Sequence, residues 1–259
     1  MTATPKPTGT RSPGIISYTT NFHGVKSRQL LIFATLITVI LNFVPYAEFL
    51  LYPIRLFVTF VHESGHALAA IATGGDVMSV RINPDGSGLT MTRQSPFWAW
   101  LTLSGGYLGT AVFGAILLQV GRLGNRANAG RVTLLIMGVF MLLIAPLWGW
   151  RDPFTLITGL GLGAVLLAMA KWLPLKGADF AATFLAVQCS LNALLDLKIL
   201  FHLTAMGSAH NDAAFMQQHY GLPALFWAAT WGLMALGVLL LSLRGYWKAT
   251  QDRGAIMRA

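Results

Sequence analysis

Two histidines and one glutamate are the residues of this chain whose types and spacing are best suited to chemistry. They form the pattern His-Glu-x-x-His at His62, Glu63 and His66. Residues four apart on a helix project from the same face, so both imidazoles can bind one Zn²⁺. Glu63 is offset around the helix and can reach a water molecule beside the metal without being a ligand. The pattern therefore predicts a zinc hydrolase with Glu63 as general base.

The apolar sequence around these three ionisable residues strengthens the prediction. The flanking residues 56–61 and 67–71 are apolar except for Thr59. An ionisable group inside a membrane span is costly and is usually functional. The alternative is a polar seam that joins helices through hydrogen bonds. Three such groups within five residues, at the spacing of metal ligands, favour the metal site.

A catalytic zinc ion also needs a third protein ligand and an open position. Asp196 is the first candidate because it lies deep in a late apolar segment, four residues after Asn192 on the same helix face. We expect Asn192 to orient that carboxylate or to bind a substrate strand. The alternative role of Asp196 is an ion pair, for example with Lys198. Asp212, in the polar stretch 207–213, is the second candidate ligand.

The composition indicates the kind of protein that must position these residues. Of the 259 residues, 55% are hydrophobic and only 10% are charged, whereas a soluble domain has roughly 25% charged residues. This excludes a disordered chain, a disulfide scaffold and an ordinary cytosolic enzyme. The net charge of +9 resides mostly in tails and short loops. It indicates contact with anionic lipid headgroups and no nucleic acid partner.

We therefore expect an all-α polytopic membrane protein with about six to seven transmembrane helices, each of roughly 20 apolar residues. A small β-hairpin should follow the zinc-motif helix, because residues 77–82 alternate, Asn83–Gly86 favours a turn and residues 89–92 favour a return strand. A plain loop is the alternative there. The candidate spans are Gln29–Pro45, Pro53–Thr73, Pro96–Val120, Arg131–Trp150, Pro153–Trp172, Ala178–Leu203 and Leu222–Leu243.

The domain organisation predicted from these runs is simple. Residues 29–243 form a single transmembrane domain, between a flexible basic N-terminal tail, 1–28, and a basic C-terminal tail, 244–259. Basic residues occur on both sides of the expected spans, so the membrane orientation is left open.

The order of the motifs resembles that of the site-2 protease family of intramembrane zinc metalloproteases. The segment 62–67 is similar to the first signature of the family, and a glycine-rich, strand-forming segment, 74–92, follows it. A span that opens with small residues, 104–109, comes next, and a later span carries Asn192 and Asp196. The spacing of these two is shorter than in the family's second signature and lacks its proline. The likeness covers roughly residues 54–200 and is greatest to the compact bacterial branch without a PDZ domain.

The resemblance implies a zinc-dependent endopeptidase that cuts a membrane-protein substrate in or near its transmembrane helix, in regulated intramembrane proteolysis. It implies Zn²⁺ on His62, His66 and Asp196, Glu63 as the catalytic residue and Asn192 as a substrate-binding residue. The metalloprotease-like core would cover about 54–203, and Val77–Ile82 could bind the substrate as an edge strand.

The resemblance also implies a multi-pass position in the lipid bilayer of a bacterial cell membrane, with the oligomeric state left open. Two alternative functions remain at this point. One is a non-catalytic zinc-binding membrane protein, whose site would be closed by a further ligand such as Asp212. The other is a small transporter whose intramembrane polar residues line a pathway.

Overall fold

This computed structural model describes residues 29, 31–38, 40–41, 44, 46–123, 128–205 and 211–256, without the side chains of 48, 121–123, 192–205 and 245–256. Residues 31–38 are helical. The elements that follow are α1 (Ala47–Ala72), β1 (Asp76–Ile82), β2 (Gly88–Arg93), a 3₁₀ turn (Pro96–Trp98), α2 (Ala99–Leu123), α3 (Ala129–Trp148), α4 (Pro153–Trp172), α5 (Leu175–Ala205), α6 (Asp212–Tyr220) and α7 (Ala224–Ile256). The predicted helical fold with one small hairpin after the zinc-motif helix is confirmed.

Four helices of the described residues are long and apolar enough to cross a membrane. They are Pro96–Val120, Ala129–Trp148, Pro153–Trp172 and Ala224–Arg244. This number is lower than the six to seven predicted. Helix α1 forms where a span was expected, but it carries several ionisable residues, which lower its apolar share. Helix α5 also forms where a span was expected, and the side chains of its second half lie outside the described part of the chain. The first predicted span, Gln29–Pro45, lies partly outside the described residues.

Small residues let α1 and α2 pack with their backbones close together. A Cβ atom on Gly105 would lie 2.7 Å from the Ala69 Cβ and 2.8 Å from the Gly65 carbonyl oxygen. A Cβ on Gly109 would lie 3.1 Å from the Gly65 Cα. The run of small residues at the start of α2 is therefore a helix-packing face, as its Gly-x-x-x-Gly spacing predicts.

Substituting Gly105 with alanine should therefore destabilise the protein by about 1–3 kcal/mol, because the new methyl group meets backbone that cannot yield. Gly161 on α4 is the matched control, since a Cβ there would meet nothing within 4 Å. Gly161→Ala should be neutral or stabilising by up to about 1 kcal/mol, because alanine favours a helix interior. Unfolding by SDS in mixed micelles measures both changes. Equal unfolding free energies for the two variants would contradict the packing described above.

The β-hairpin lies along α1, and two hydrogen bonds join its turn to that helix. The strands are antiparallel, with Ile82 opposite Gly88. The Thr59 hydroxyl donates to the carbonyl of Gly86 at 2.9 Å, and the Tyr52 hydroxyl donates to the carbonyl of Pro84 at 2.6 Å. The hairpin is thus held beside the helix that carries the histidines.

The short turn between α3 and α4 holds the other side of the hairpin. Asp152 caps α4, and its Oδ1 accepts from the Thr155 backbone N–H at 2.8 Å and from the Thr155 hydroxyl at 2.7 Å. These hydrogen bonds hold the pKa of Asp152 below its usual value, and the charge of Arg81 lowers it further. The Thr155 oxygen in turn accepts from the Ile82 N–H at 2.8 Å. Strand β1 is therefore tied to α4 at its end.

Candidate metal centre

Three ligand atoms from α1 and α6 converge on one point. The Nε2 atoms of His62 and His66 are 3.1 Å apart, and the Oδ2 atom of Asp212 lies 3.2 Å from each of them. Tetrahedral coordination with bonds of 2.0–2.1 Å separates neighbouring ligand atoms by about 3.3 Å. The three atoms are therefore spaced as three ligands of a single zinc ion would be.

The surroundings of both imidazoles fix their orientation. His66 Nδ1 lies 2.6 Å from the carbonyl oxygen of Thr102 on α2. Because a carbonyl can only accept a hydrogen bond, Nδ1 carries the proton and Nε2 keeps its lone pair for a metal. The His62 ring meets Tyr107 edge-on, with centroids 4.8 Å apart, and Tyr107 stacks on Trp231 of α7 at 4.9 Å.

Gly106 leaves the space in front of the two imidazoles. A Cβ atom at this position would contact Nε2 of both His62 and His66. A glycine here therefore keeps room for an ion between the rings. The small residues at the start of α2 serve both helix packing and the approach of α2 to the site.

Glu63 lies beside the three converging atoms and does not contribute one of them. Its side chain is buried, and its Oε2 atom accepts a hydrogen bond from the Thr90 hydroxyl of β2 at 2.6 Å. The offset of one residue along α1 turns this carboxylate away from the ligand set, as expected for a general base.

Asp212 is the first residue of the short helix α6, which is anchored against α2. Asn211 caps this helix by accepting from the Ala214 N–H at 2.9 Å. At the other end, the Tyr220 hydroxyl accepts from the Trp100 N–H at 2.9 Å. Met216 is fully buried in a cluster that includes residues of α2 and α7. The third ligand thus comes from a short helix that is capped at its start by its own Asn211 and is held against α2 at its end by Tyr220.

The structure brings together three of the predicted site residues, His62, Glu63 and His66, and adds Asp212. Asp212 was the second candidate ligand from sequence. Asp196, the first candidate, and Asn192 both lie on α5, but their side chains are outside the described part of the chain. Their predicted roles as metal ligand and substrate-binding residue stay predictions.

Sequence reasoning missed three contributors to the site. They are Thr90, the carbonyl of Thr102 and the ring of Tyr107. Only Thr90 carried a usable signal, because the alternation of β2 puts it on the same face of the hairpin as the buried Val80, its partner across the strands. Every residue has a backbone carbonyl, so the sequence cannot show which one accepts a hydrogen bond from a histidine.

The sequence matches a known protein family. A family model described as Peptidase M50B-like matches residues 32–242. No curated protein and no solved structure matches the chain. The matched range includes His62, Glu63, His66 and Asp212. It extends past residues 54–200, which the initial resemblance covered, and includes most of the last apolar helix. The chain therefore belongs to the Peptidase M50B-like family, whose members are membrane metalloproteases similar to the site-2 proteases.

Proposed function

We propose that this protein is a zinc-dependent intramembrane endopeptidase that hydrolyses a peptide bond in or near a transmembrane segment of another membrane protein. The observation that carries the proposal is the triangle of His62 Nε2, His66 Nε2 and Asp212 Oδ2 with the Glu63 carboxylate beside it. Family membership supports the peptidase class, and four apolar helices support a multi-pass membrane position. On the initial resemblance, we assign it to a bacterial cell membrane.

His62, His66 and Asp212 would hold the ion. Two neutral imidazoles and one carboxylate are a donor set of catalytic zinc, and they leave the fourth position open. When bound, zinc polarises the scissile carbonyl and makes water easier to deprotonate. The space that Gly106 leaves in front of the imidazoles fits this use of the site.

Glu63 would move the proton during hydrolysis. Its carboxylate takes a proton from the attacking water, whose oxygen bonds to the carbonyl carbon. The C–N bond then breaks, and the same carboxyl group passes the proton to the leaving nitrogen. Burial of Glu63 excludes bulk water from this transfer.

A transmembrane helix must unwind before its carbonyls can be attacked, and strand addition to the hairpin would hold it extended. We expected β1 as the edge strand, but its Ile82 N–H is bonded to Thr155 and its Met78 carbonyl accepts from Arg151. Strand β2 runs directly beside Glu63, through Gly88 and Thr90. We therefore propose β2 as the strand that receives the substrate.

The test compares wild-type and Glu63→Gln protein, purified with equal zinc contents, on a synthetic leucine- and alanine-rich transmembrane peptide. Cleavage by the wild type alone supports an endopeptidase with Glu63 as its base. Equal cleavage by both proteins contradicts this mechanism.

A further inference from the structure

Strand β2 contacts the Glu63 carboxylate through a single hydroxyl group. The Thr90 Oγ1 atom lies 2.6 Å from Glu63 Oε2 and 2.9 Å from the Glu63 carbonyl oxygen. One hydroxyl has one proton, and the shorter contact to a charged acceptor is the stronger bond. Among the described residues, no other side chain or backbone group donates to this carboxylate. Thr90 is therefore the donor that holds it.

Gly88, two residues earlier on the same face of β2, lets the strand lie directly against the carboxylate. A Cβ atom on Gly88 would contact Glu63 Oε1 and lie 2.6 Å from its Cγ. Gly88 is paired with Ile82, whose N–H is bonded to Thr155 of α4. The position of β2 against Glu63 is thus fixed through β1 by a helix on the far side of the hairpin.

We propose that Thr90 is a positioning residue of the peptidase, which holds the Glu63 carboxylate in the orientation needed for proton transfer. This inference rests on the proposed function. A glutamate side chain has three rotatable bonds, and in a buried site its direction depends on the groups that bind it. A displacement of about 1 Å in a catalytic group can cost about 10²-fold in rate. Thr90 is bonded to none of the three converging ligand atoms, so its loss should leave metal binding unchanged.

Thr90→Val tests the role, because valine keeps the shape of threonine and removes the hydroxyl. We expect kcat for the leucine- and alanine-rich peptide to fall about 10- to 100-fold, with KM and zinc content unchanged. Thr90→Ser keeps the hydroxyl and should recover most of the lost kcat. Thr92→Val is the matched control. Thr92 lies on the same face of the same strand, and its hydroxyl makes no hydrogen bond within the described residues. Strand addition would hold a substrate through backbone groups, which this substitution does not change.

A second readout needs neither substrate nor metal. Dicyclohexylcarbodiimide modifies carboxyl groups in apolar surroundings, and peptide mass spectrometry follows its addition to Glu63 in zinc-free protein. Glu63 should be modified several-fold faster in Thr90→Val than in wild type, because the hydroxyl no longer covers one carboxylate oxygen. Thr92→Val should react at the wild-type rate.

The failure of this inference can be distinguished from failure of the proposed function. If wild type cleaves, Glu63→Gln does not, and Thr90→Val keeps the wild-type kcat and the wild-type rate of modification, the role of Thr90 is wrong and the endopeptidase stands. The role of Thr90 is also wrong if Thr90→Val and Thr92→Val lose kcat equally, or if Thr90→Ser does not recover kcat. If wild type and Glu63→Gln cleave equally, the proposed function fails independently of Thr90.

Discussion

Replacing Glu63 with glutamine should lower kcat about 10²- to 10⁴-fold, the usual contribution of a general acid–base group. The amide keeps the size of the side chain and cannot take a proton from water. Because Glu63 lies outside the triangle of ligand atoms, bound zinc should stay at the wild-type level. Steady-state cleavage of the model peptide, with metal content by mass spectrometry, measures both quantities.

Glu48→Gln provides the matched control for this substitution. Glu48 is the other glutamate of the chain and lies on the same helix, about four turns before Glu63. We expect wild-type kcat and wild-type zinc content for it. A Glu63→Gln protein that has lost its zinc would mean that Glu63 is a ligand, and one that retains full kcat would exclude it as the base.

Asp212→Ala should weaken zinc binding by more than about 100-fold, since loss of an outer partner of a ligand alone costs about 10- to 100-fold. The variant removes one of the three atoms that converge with 3.1–3.2 Å spacing. Asn211 still caps α6, so the helix should remain folded. Competition with a fluorescent zinc chelator gives the dissociation constants, and unfolding by SDS checks the fold.

Asp196→Ala is the comparison that decides between the two candidate acids. With Asp212 as the third ligand, this variant should bind zinc as the wild type does. If zinc is instead lost from Asp196→Ala and retained by Asp212→Ala, the ligand set proposed above is wrong and the first choice made from sequence is right.

The parts of this molecule that were predictable from sequence are those set by local chain geometry. His62, Glu63 and His66 occupy one turn of one helix, so helical periodicity alone determines which of them share a face. Helix α4, Pro153–Trp172, has the bounds predicted for its span, because proline is favoured at the start of a helix and marks where the apolar run begins. The span predicted at Pro96–Val120 corresponds to the 3₁₀ turn that begins at Pro96 and to α2, which extends to Leu123. The hairpin was predictable from its turn residues and its alternation.

The third metal ligand is harder to predict from sequence, because its position depends on tertiary packing. Asp212 is 150 residues away from His62 in sequence. The sequence favours Asp196 because it lies deep in an apolar segment, where a ligand on a spanning helix is expected. Asp212 lies on the short helix α6, outside the candidate spans. Contacts of Tyr220 and Met216 with distant parts of the chain position this helix, and a local sequence pattern cannot predict them.

The most direct measurement of the central claim is zinc K-edge X-ray absorption on the purified protein, together with its zinc content. The proposed site predicts one zinc per chain, with nitrogen and oxygen ligands at about 2.0–2.1 Å and two of them imidazoles. Loss of the signal of one imidazole in His66→Ala would assign that ligand to α1. A chain that binds no zinc, or a spectrum without imidazole ligands, would contradict a metal centre formed by His62, His66 and Asp212.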